Sequence, residues 1–547
     1  MRKIILFTSI LLLICNIGLF AQGNQIDAYT LSGTELNGTA RSMAMGGAFG
    51  ALGGDISVIS SNPAGLGIYR SSDISGSLDL LMNKTSTKWS GVNADQKKTH
   101  FAPNNFGFEL YFPTSSSSVR NWNLGFSYNR VKNFNRRYRM SNNGQSHSLA
   151  DYGAWRASNA FGIGKGITAN EFENTPYNNP DLSGNWLAIL GYDNLFYHYV
   201  GGPNEYQSAF GYWNKDETVW EIVSPYKNHL SVNESGHMDE YNIGFGTNIS
   251  NFLFLGASLS VTDINYKYSS FYEELFVYDK KNNKDDELYL ENWLNTEGSA
   301  ISLNVGAIMN LQMLRLGVAY NSPRWYSMTD YYDARSGSYI NNSKGNPNID
   351  AWIPEKSYSE YKFRTPGKWI FSGAVILGQS ALISADYELM NYREMQYSSK
   401  NEDSHNRVEY VANGYIKDDF TWAHTLKIGA EVKITSQFAV RAGYVMQTSP
   451  MHKNLVNNNV EVLPSGTIPH FEVTSDPTNY YTAGLGYRFT PNFYMDLACV
   501  YRHNSSRVYA FSNTYDGVDA GKVEVPSTPA KLKTESTHLA LTFGYKF

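Results

Sequence analysis

Cysteine is almost missing from this chain. Only Cys15 and Cys499 occur among 547 residues, and Cys15 falls inside a leading apolar segment. The one remaining thiol can build neither a disulfide framework nor a thiolate metal site. No Cys-x-x-Cys-His is present, which excludes covalently attached haem. Beyond the first twenty residues no apolar run reaches the roughly 18 residues that a transmembrane helix needs. Excess charge is also lacking: 45 Lys and Arg stand against 50 Asp and Glu. A net charge of −5 argues against a nucleic-acid partner. No Gly-x-Ser-x-Gly occurs, and no His is paired with a Ser or Cys motif, so nothing points to a hydrolase. Asp285, Asp286 and Glu287 are adjacent but lack the spacing of a calcium loop. The chain is therefore expected not to be an enzyme and to carry no metal or cofactor.

What is present begins with an export signal. Arg2 and Lys3 precede an apolar core from Ile4 to Phe20, with cleavage expected after Ala21. Aromatics are abundant, with 40 Tyr, 28 Phe and 11 Trp. Half-buried strands with interfacial aromatic girdles have this composition.

Alternation is the dominant pattern. At the C-terminus Leu539, Leu541, Phe543, Tyr545 and Phe547 alternate with His538, Ala540, Thr542, Gly544 and Lys546. Period two means that one face meets an apolar medium and the other does not. The same pattern recurs at Trp122–Tyr128, Tyr241–Ile249, Leu426–Ile434, Phe438–Met446 and Tyr481–Tyr487. Segments of about ten residues are long enough to cross a bilayer at a tilt. Short connections near 113–120, 250–251, 310–311, 378–379, 434–436 and 490–492 join twelve strands. Strands near 73–82 and 537–547 bring the number to fourteen. The opposite connections, at about 83–104, 132–238, 263–297, 322–366, 391–421, 448–478 and 504–535, are long. The expected fold is all-β, a transmembrane antiparallel barrel of about fourteen strands over residues 73–547. Short turns on one side and long loops on the other put both termini in the periplasm and the barrel in the outer membrane of a Gram-negative cell.

A ring of this size falls between barrels filled by side chains and those with an open channel. Residues 22–72 are the one long stretch available to fill it. Within them, residues 38–70 are apolar, glycine-rich and interrupted by Pro63, which suits a compact plug better than a strand. The glycines of 46–54 are followed by no Gly-Lys-Ser/Thr, so they do not form a phosphate loop. Pro63 fixes its own φ and biases Asn62 away from the α region.

Gly38-Thr-Ala-Arg-Ser-Met-Ala-Met-Gly-Gly-Ala and the Asn62-Pro63-Ala64 turn carry a resemblance. The chain resembles the FadL family, which includes TodX-like hydrocarbon transporters, in its Bacteroidetes-type branch. In that family a fourteen-stranded barrel is plugged by an N-terminal hatch with an Asn-Pro-Ala motif, matched here by Asn62, Pro63 and Ala64. The loops are longer than in the classical members, and no other ligand-contacting position aligns. The resemblance implies passive uptake of long-chain fatty acids or aromatic compounds, with sideways release beside an inward kink of the wall. That kink is expected near Gly125, in the third strand.

Glu109, Arg315, Asp386, Lys427, Glu431, Lys433, Arg441, Arg488, Asp496 and Arg502 are expected to face the lumen and pair with each other and with the hatch. Arg441 or Arg488 could hold a ligand carboxylate. The loop aromatics Trp325, Tyr326, Tyr331, Tyr332, Tyr339, Trp352 and Tyr361 suit a capture groove, a glycan platform or plain packing. The expected partners are outer-membrane lipid, lipopolysaccharide and a hydrophobic small molecule, bound by a monomer. Two alternatives follow from the same pattern. One is a scaffold or shuttle that binds secreted proteins through loop 132–238; the other is a haem or glycan receptor.

Overall fold

The structure, a computed structural model, describes residues 23–547 except 163, 175, 203, 217, 280–283, 341–348, 355–356, 379, 400–406 and 516–522. The export signal, with Cys15, lies outside the described residues.

Fourteen strands form the wall: β1 (Asp73–Trp89), β2 (Val92–Pro113), β3 (Val119–Asn133), β4 (Lys227–Ile249), β5 (Leu253–Asp279), β6 (Lys284–Leu311), β7 (Leu314–Asn321), β8 (Lys368–Leu377), β9 (Ala381–Asn391), β10 (Trp422–Lys433), β11 (Phe438–Gln447), β12 (Thr478–Arg488), β13 (Phe493–Tyr509) and β14 (Ala530–Lys546). Each pairs antiparallel with the next, and β14 returns to β1 through Asp73↔Lys546 and Leu80↔Leu539. The ring therefore has no open edge through its lower half.

The barrel is inside-out relative to a soluble protein. On β14, Leu539, Phe543, Tyr545 and Phe547 are 40–62% exposed, while His538, Ala540 and Thr542 are 3% exposed or less. The exposed apolar face continues through Leu255, Leu259, Val261, Ile301, Leu303, Val305, Leu316 and Val318. A continuous outer belt of this kind belongs against lipid.

Several segments expected to be loops are continuations of strands. β1 and β2 run on to a tight turn at Ser90-Gly91, where both residues have positive φ (45° and 92°). β5 and β6 likewise pair from Leu253↔Met309 to Asp279↔Lys284. Beyond the lipid belt both faces of these strands carry polar groups, so the apolar alternation fades although the ladder does not. Of the loop aromatics, Tyr326, Tyr332 and Tyr361 point into the core, whereas Trp325, Tyr331, Tyr339 and Trp352 face outward.

The N-terminal segment fills the lumen. Helix α1 (Gln25–Ser32) starts at an Asn24 capping box, and the short helix α2 (Ala40–Ala44) follows. Two 3-10 turns, Ile56–Ser60 and Pro63–Ile68, lead into β1. Helix α1 lies at the long-loop end: Tyr29 stacks near Tyr392 and Phe420, and Ile26 and Leu31 join a core with Tyr266, Tyr326 and Phe471. Phe547, in contrast, bonds through its N–H to the Ser72 carbonyl at the short-turn end. The two described ends of the chain therefore lie at opposite ends of the barrel, not together as expected. The cause is that the hatch runs the length of the lumen before β1 begins.

Most of residues 132–238 folds as a cap on the long-loop end. Helices α3 (Leu149–Asn159) and α4 (Trp186–Asp193) and two short hairpins bury Tyr152, Trp186, Tyr197 and Phe210 against Trp89, Tyr272 and Phe511 of the wall extensions. Glu274, on the part of β5 beyond the lipid belt, anchors this cap. Its carboxyl group accepts from the Leu149 N–H at 3.0 Å, Tyr272 Oη at 2.6 Å and Asn228 Nδ2 at 3.0 Å. That satisfies an otherwise unpaired first-turn N–H of α3.

Burial pushes Glu274 up to about 8. An acid raised in the folded state stabilises it fully below the usual carboxylate range, and the contribution is lost as pH rises through the folded value. Resistance of the cap to limited proteolysis should therefore fall between roughly pH 4.5 and pH 8, given the ordinary Glu value. Glu274→Gln should flatten the profile. A wild-type profile that is already flat would contradict this role.

Candidate ligand pathway

Between Gly33 and Ser72 short helical turns pair many of the hatch's backbone groups among themselves, as in Gly47 N–H to the Ser42 carbonyl (2.8 Å) and Asn62 N–H to the Val58 carbonyl (2.9 Å), and others need partners from elsewhere. The wall supplies several. Asn104 of β2 donates to the Gly38 carbonyl (2.8 Å), Thr482 of β12 to Ala44 (2.8 Å) and Ser384 of β9 to Ala48 (2.5 Å). Arg315 of β7 donates to Leu52 (2.8 Å), Ser258 of β5 to Ile59 (2.8 Å) and Asn321 of β7 to Ser61 (3.1 Å). In the other direction the Ala40 N–H donates to Thr542 Oγ1 (2.7 Å) and the Gly50 N–H to Asp386 Oδ2 (2.9 Å). These side chains come from strands right round the ring.

The Asn62-Pro63-Ala64 turn is buried against the wall. Asn62 Nδ2 donates to the Gly50 carbonyl at 2.6 Å, and Asn62 Oδ1 accepts from the Ala64 N–H at 3.2 Å, capping the turn that Pro63 opens. Asparagine suits this position because it donates and accepts at once. Beneath the turn, Gly246, Gly256 and Gly306 are direct cross-strand neighbours on β4, β5 and β6. A Cβ on Gly256 would lie 2.3 Å from the Pro63 carbonyl carbon, and one on Gly306 would lie 2.0 Å from Asn62 Oδ1. This glycine row is a recess shaped to the turn, and nothing in the alternation of the strands announces it.

Of the two arginines singled out, Arg441 is 7% exposed and ion-paired, with Nε 2.6 Å from Glu431 and Nη1 2.5 Å from Asp496. Arg41 of the hatch meets the same Glu431 through two contacts, at 3.1 and 3.3 Å. Arg441 is thus occupied in a hatch–wall ion cluster. Arg488 and Lys433 are exposed at the short-turn mouth, where both line the space between Arg41, Asp55 and Arg441 on the lumen side. Both stand at strand ends, so they face the lumen at its opening and not in its interior. Glu109, Asp386, Glu431 and Asp496 are buried on the inner face.

The expectation for Gly125 is corrected. It sits in regular register between Glu109 and Gly244, and a Cβ there would lie 2.7 Å from Ile59 and 3.0 Å from Leu66 of the hatch. It admits the hatch and does not bend the strand. Register of β3 with β4 shifts on either side of Gly125, between Val119 and Asn121 and between Arg130 and Lys132. At the second shift the strand approaches the long-loop end. There the β2–β3 ladder has already stopped, at Asn105↔Asn129, while β1–β2 pairing continues to Trp89↔Val92. Residues Arg136–Asn142 turn inward and pair with β4. The resulting seam is bridged by side chains: Lys98 Nζ donates to the Glu234 carbonyl (2.5 Å), and Thr85 and Thr87 to the carbonyls of Arg137 (2.7 Å) and Arg139 (2.6 Å).

Three cavities lie along the hatch. One of about 160 Å³ beside α1 is lined by Tyr29, Glu35, Lys132, Arg136 and Arg502. One of about 130 Å³ shares Glu35, Gln447 and Tyr480 with it and reaches the wall at Asn129, Arg130 and Val131. A third, of about 160 Å³, opens near the short-turn mouth between Arg41, Asp55 and Arg441.

No protein-family model matches the chain, and no curated protein matches it in sequence. Among solved structures, a FadL homologue from Pseudomonas aeruginosa matches at 10% identity and a TM-score of 0.51, covering 94% of this chain and 99% of that one. The chain has the FadL fold. The toluene transporters TodX of P. putida (13% identity, TM-score 0.47, covering 94% of this chain and 99% of that one) and TbuX of Ralstonia pickettii (12%, 0.45, covering 95% and 100%) also match. In this FadL-type barrel the resemblance carried by residues 38–70 and the fold of the whole chain agree.

The glycine row gives a direct test of hatch docking. Gly306→Val places a branched side chain where Asn62 Oδ1 lies, and overpacking of this kind typically costs about 1–3 kcal/mol. The expected outcome is a barrel that still shows compact mobility on unheated gels but has raised single-channel conductance and a hatch open to protease. Unchanged conductance and protection would contradict the docked turn.

Proposed function

We propose that this barrel passes hydrophobic small molecules passively across the outer membrane, beside its hatch and out through the seam between β2 and β3. The observation that carries the reading is the run of cavities, two of them contiguous, that follows the hatch and reaches the wall where the β2–β3 ladder stops. Each holds about 130–160 Å³. An apolar cavity of about 150 Å³ accepts benzene. The spaces thus fit a single ring-sized solute, and an extended acyl chain would require the hatch to shift. Their linings combine aromatic rings with ion pairs, which favours a compact solute with a polar edge over a saturated chain. No energy source is needed, because a solute moving down its gradient only has to exchange places with water in these spaces. The FadL fold agrees with this reading.

Whole cells lacking the gene provide the test. Initial uptake of a labelled monoaromatic compound should fall several-fold and recover with the wild-type gene, and uptake of a labelled long-chain fatty acid should fall less. Equal uptake of both compounds with and without the gene would remove the reading.

A further inference from the structure

We infer that the outer face of β14, β1 and β2, just beyond the lipid belt, is a binding site for the phosphate groups of lipopolysaccharide. The apolar belt on these strands ends at Met82, Phe101 and Leu539. Further along the same outward face stand Lys84 and Lys88 on β1, Lys97 on β2 beyond Thr99, and Lys533 and Lys531 on β14 beyond Thr537 and Glu535. Register brings them together: Lys84 stands directly opposite Lys97, and Lys88 opposite Lys531, with Lys533 one position away, opposite Ser86.

Like charges directly opposite one another destabilise a sheet. Two such pairs on three adjacent strands therefore need a counter-charge. The chain supplies part of it, two carboxylates against five lysines. Glu535 on β14 stands directly opposite Lys84 and accepts from Tyr501 Oη at 2.8 Å, and Asp95 on β2, itself 62% exposed, lies 3.9 Å from Lys84. Among the described residues, no carboxylate pairs with Lys88, Lys97, Lys531 or Lys533.

Position identifies the missing partner. Each outward step of two residues advances about 6.6 Å along a strand. The lysines therefore occupy the band from about 7 to about 26 Å past the belt, measured along the strands. They lie at the long-loop end, which is extracellular in barrels of this type. The groups found at that depth are the headgroups of the outer leaflet. Ammonium groups are point-charge partners for phosphate, and a phosphorylated glycolipid presents several phosphates at once beside an acyl region that would lie along Leu80, Met82 and Leu539. The proposal is independent of what passes through the lumen.

The test uses the folded barrel in detergent, titrated with purified lipopolysaccharide, with the same lipopolysaccharide after enzymatic dephosphorylation, and with inorganic phosphate. Saturable binding, read by native mass spectrometry and by the unfolding temperature, should appear with the phosphorylated lipid. It should weaken tenfold or more on dephosphorylation and in Lys88→Gln/Lys531→Gln/Lys533→Gln. The corresponding Lys→Arg triple variant should retain binding, which separates loss of charge from loss of fold. Equal binding by wild type and the Gln variant would overturn the proposal. So would equal binding of both lipid forms, or saturation by inorganic phosphate at the same concentration.

Discussion

An irregular peptide segment buried inside a barrel must find a partner for nearly every N–H and C=O it carries, and that requirement organises this structure. The hatch's short helical turns pair many of these groups among themselves, and the rest turn to the wall. The inner face of the wall therefore acts as a template. Asn104, Thr482, Ser384, Arg315, Ser258, Asn321, Asp386 and Thr542 each answer one backbone group of the hatch. A polar lumen is usual in outer-membrane barrels. Here its polar groups are matched to a particular chain path, which gives that path its specificity. Where partners are not needed the wall recedes, and the glycine row under Asn62-Pro63-Ala64 lets backbone approach backbone.

The same logic explains how the lumen is closed without being sealed. Below, the Arg41–Glu431–Arg441–Asp496 cluster ties α2 to β10, β11 and β13. Above, the cap buries an apolar core across the widened mouth. Between them, the Arg502–Glu35 pair (2.7 Å) crosses from the wall to the hatch, while Lys427–Glu388 (2.6 Å) joins two neighbouring wall strands. Breaking a buried pair by removing one partner is costly, so these contacts hold the hatch in place, yet they leave small cavities between them. At the β2–β3 seam the ladder stops early and side chains bridge the strands. The seam is a weak part of the ring, because side chains there replace a run of backbone hydrogen bonds.

Much of this was legible in the sequence, and the limits have physical causes. Leu539–Phe547 reads correctly because lipid on one side and a packed lumen on the other impose a strict period of two. Once strands pass beyond the lipid that contrast vanishes. Asn83, Thr85 and Thr87 face inward and Lys84, Ser86 and Lys88 outward, so a strand reads there as a polar loop. Residues 132–238 read as a long loop with room for a hairpin or short helices, and the cap they form is not legible because its core is built from contacts with distant strands. Asn62-Pro63-Ala64 was found because turn chemistry is local. The role of Gly125 was not, because what a glycine makes room for lies elsewhere in the chain. The exposure of Arg488 is hidden for a related reason: alternation says which face a residue is on, but not how near the mouth the strand places it.

The central claim is that the hatch is a docked element of the barrel, held through backbone bonds that the wall completes. Amide hydrogen exchange on the folded protein tests it most directly. The amides of Ala40 and Gly50, whose acceptors are Thr542 and Asp386 of the wall, should exchange as slowly as those of the paired strands around them. Exchange of these amides as fast as in the exposed turns, with the strands still protected, would contradict the account.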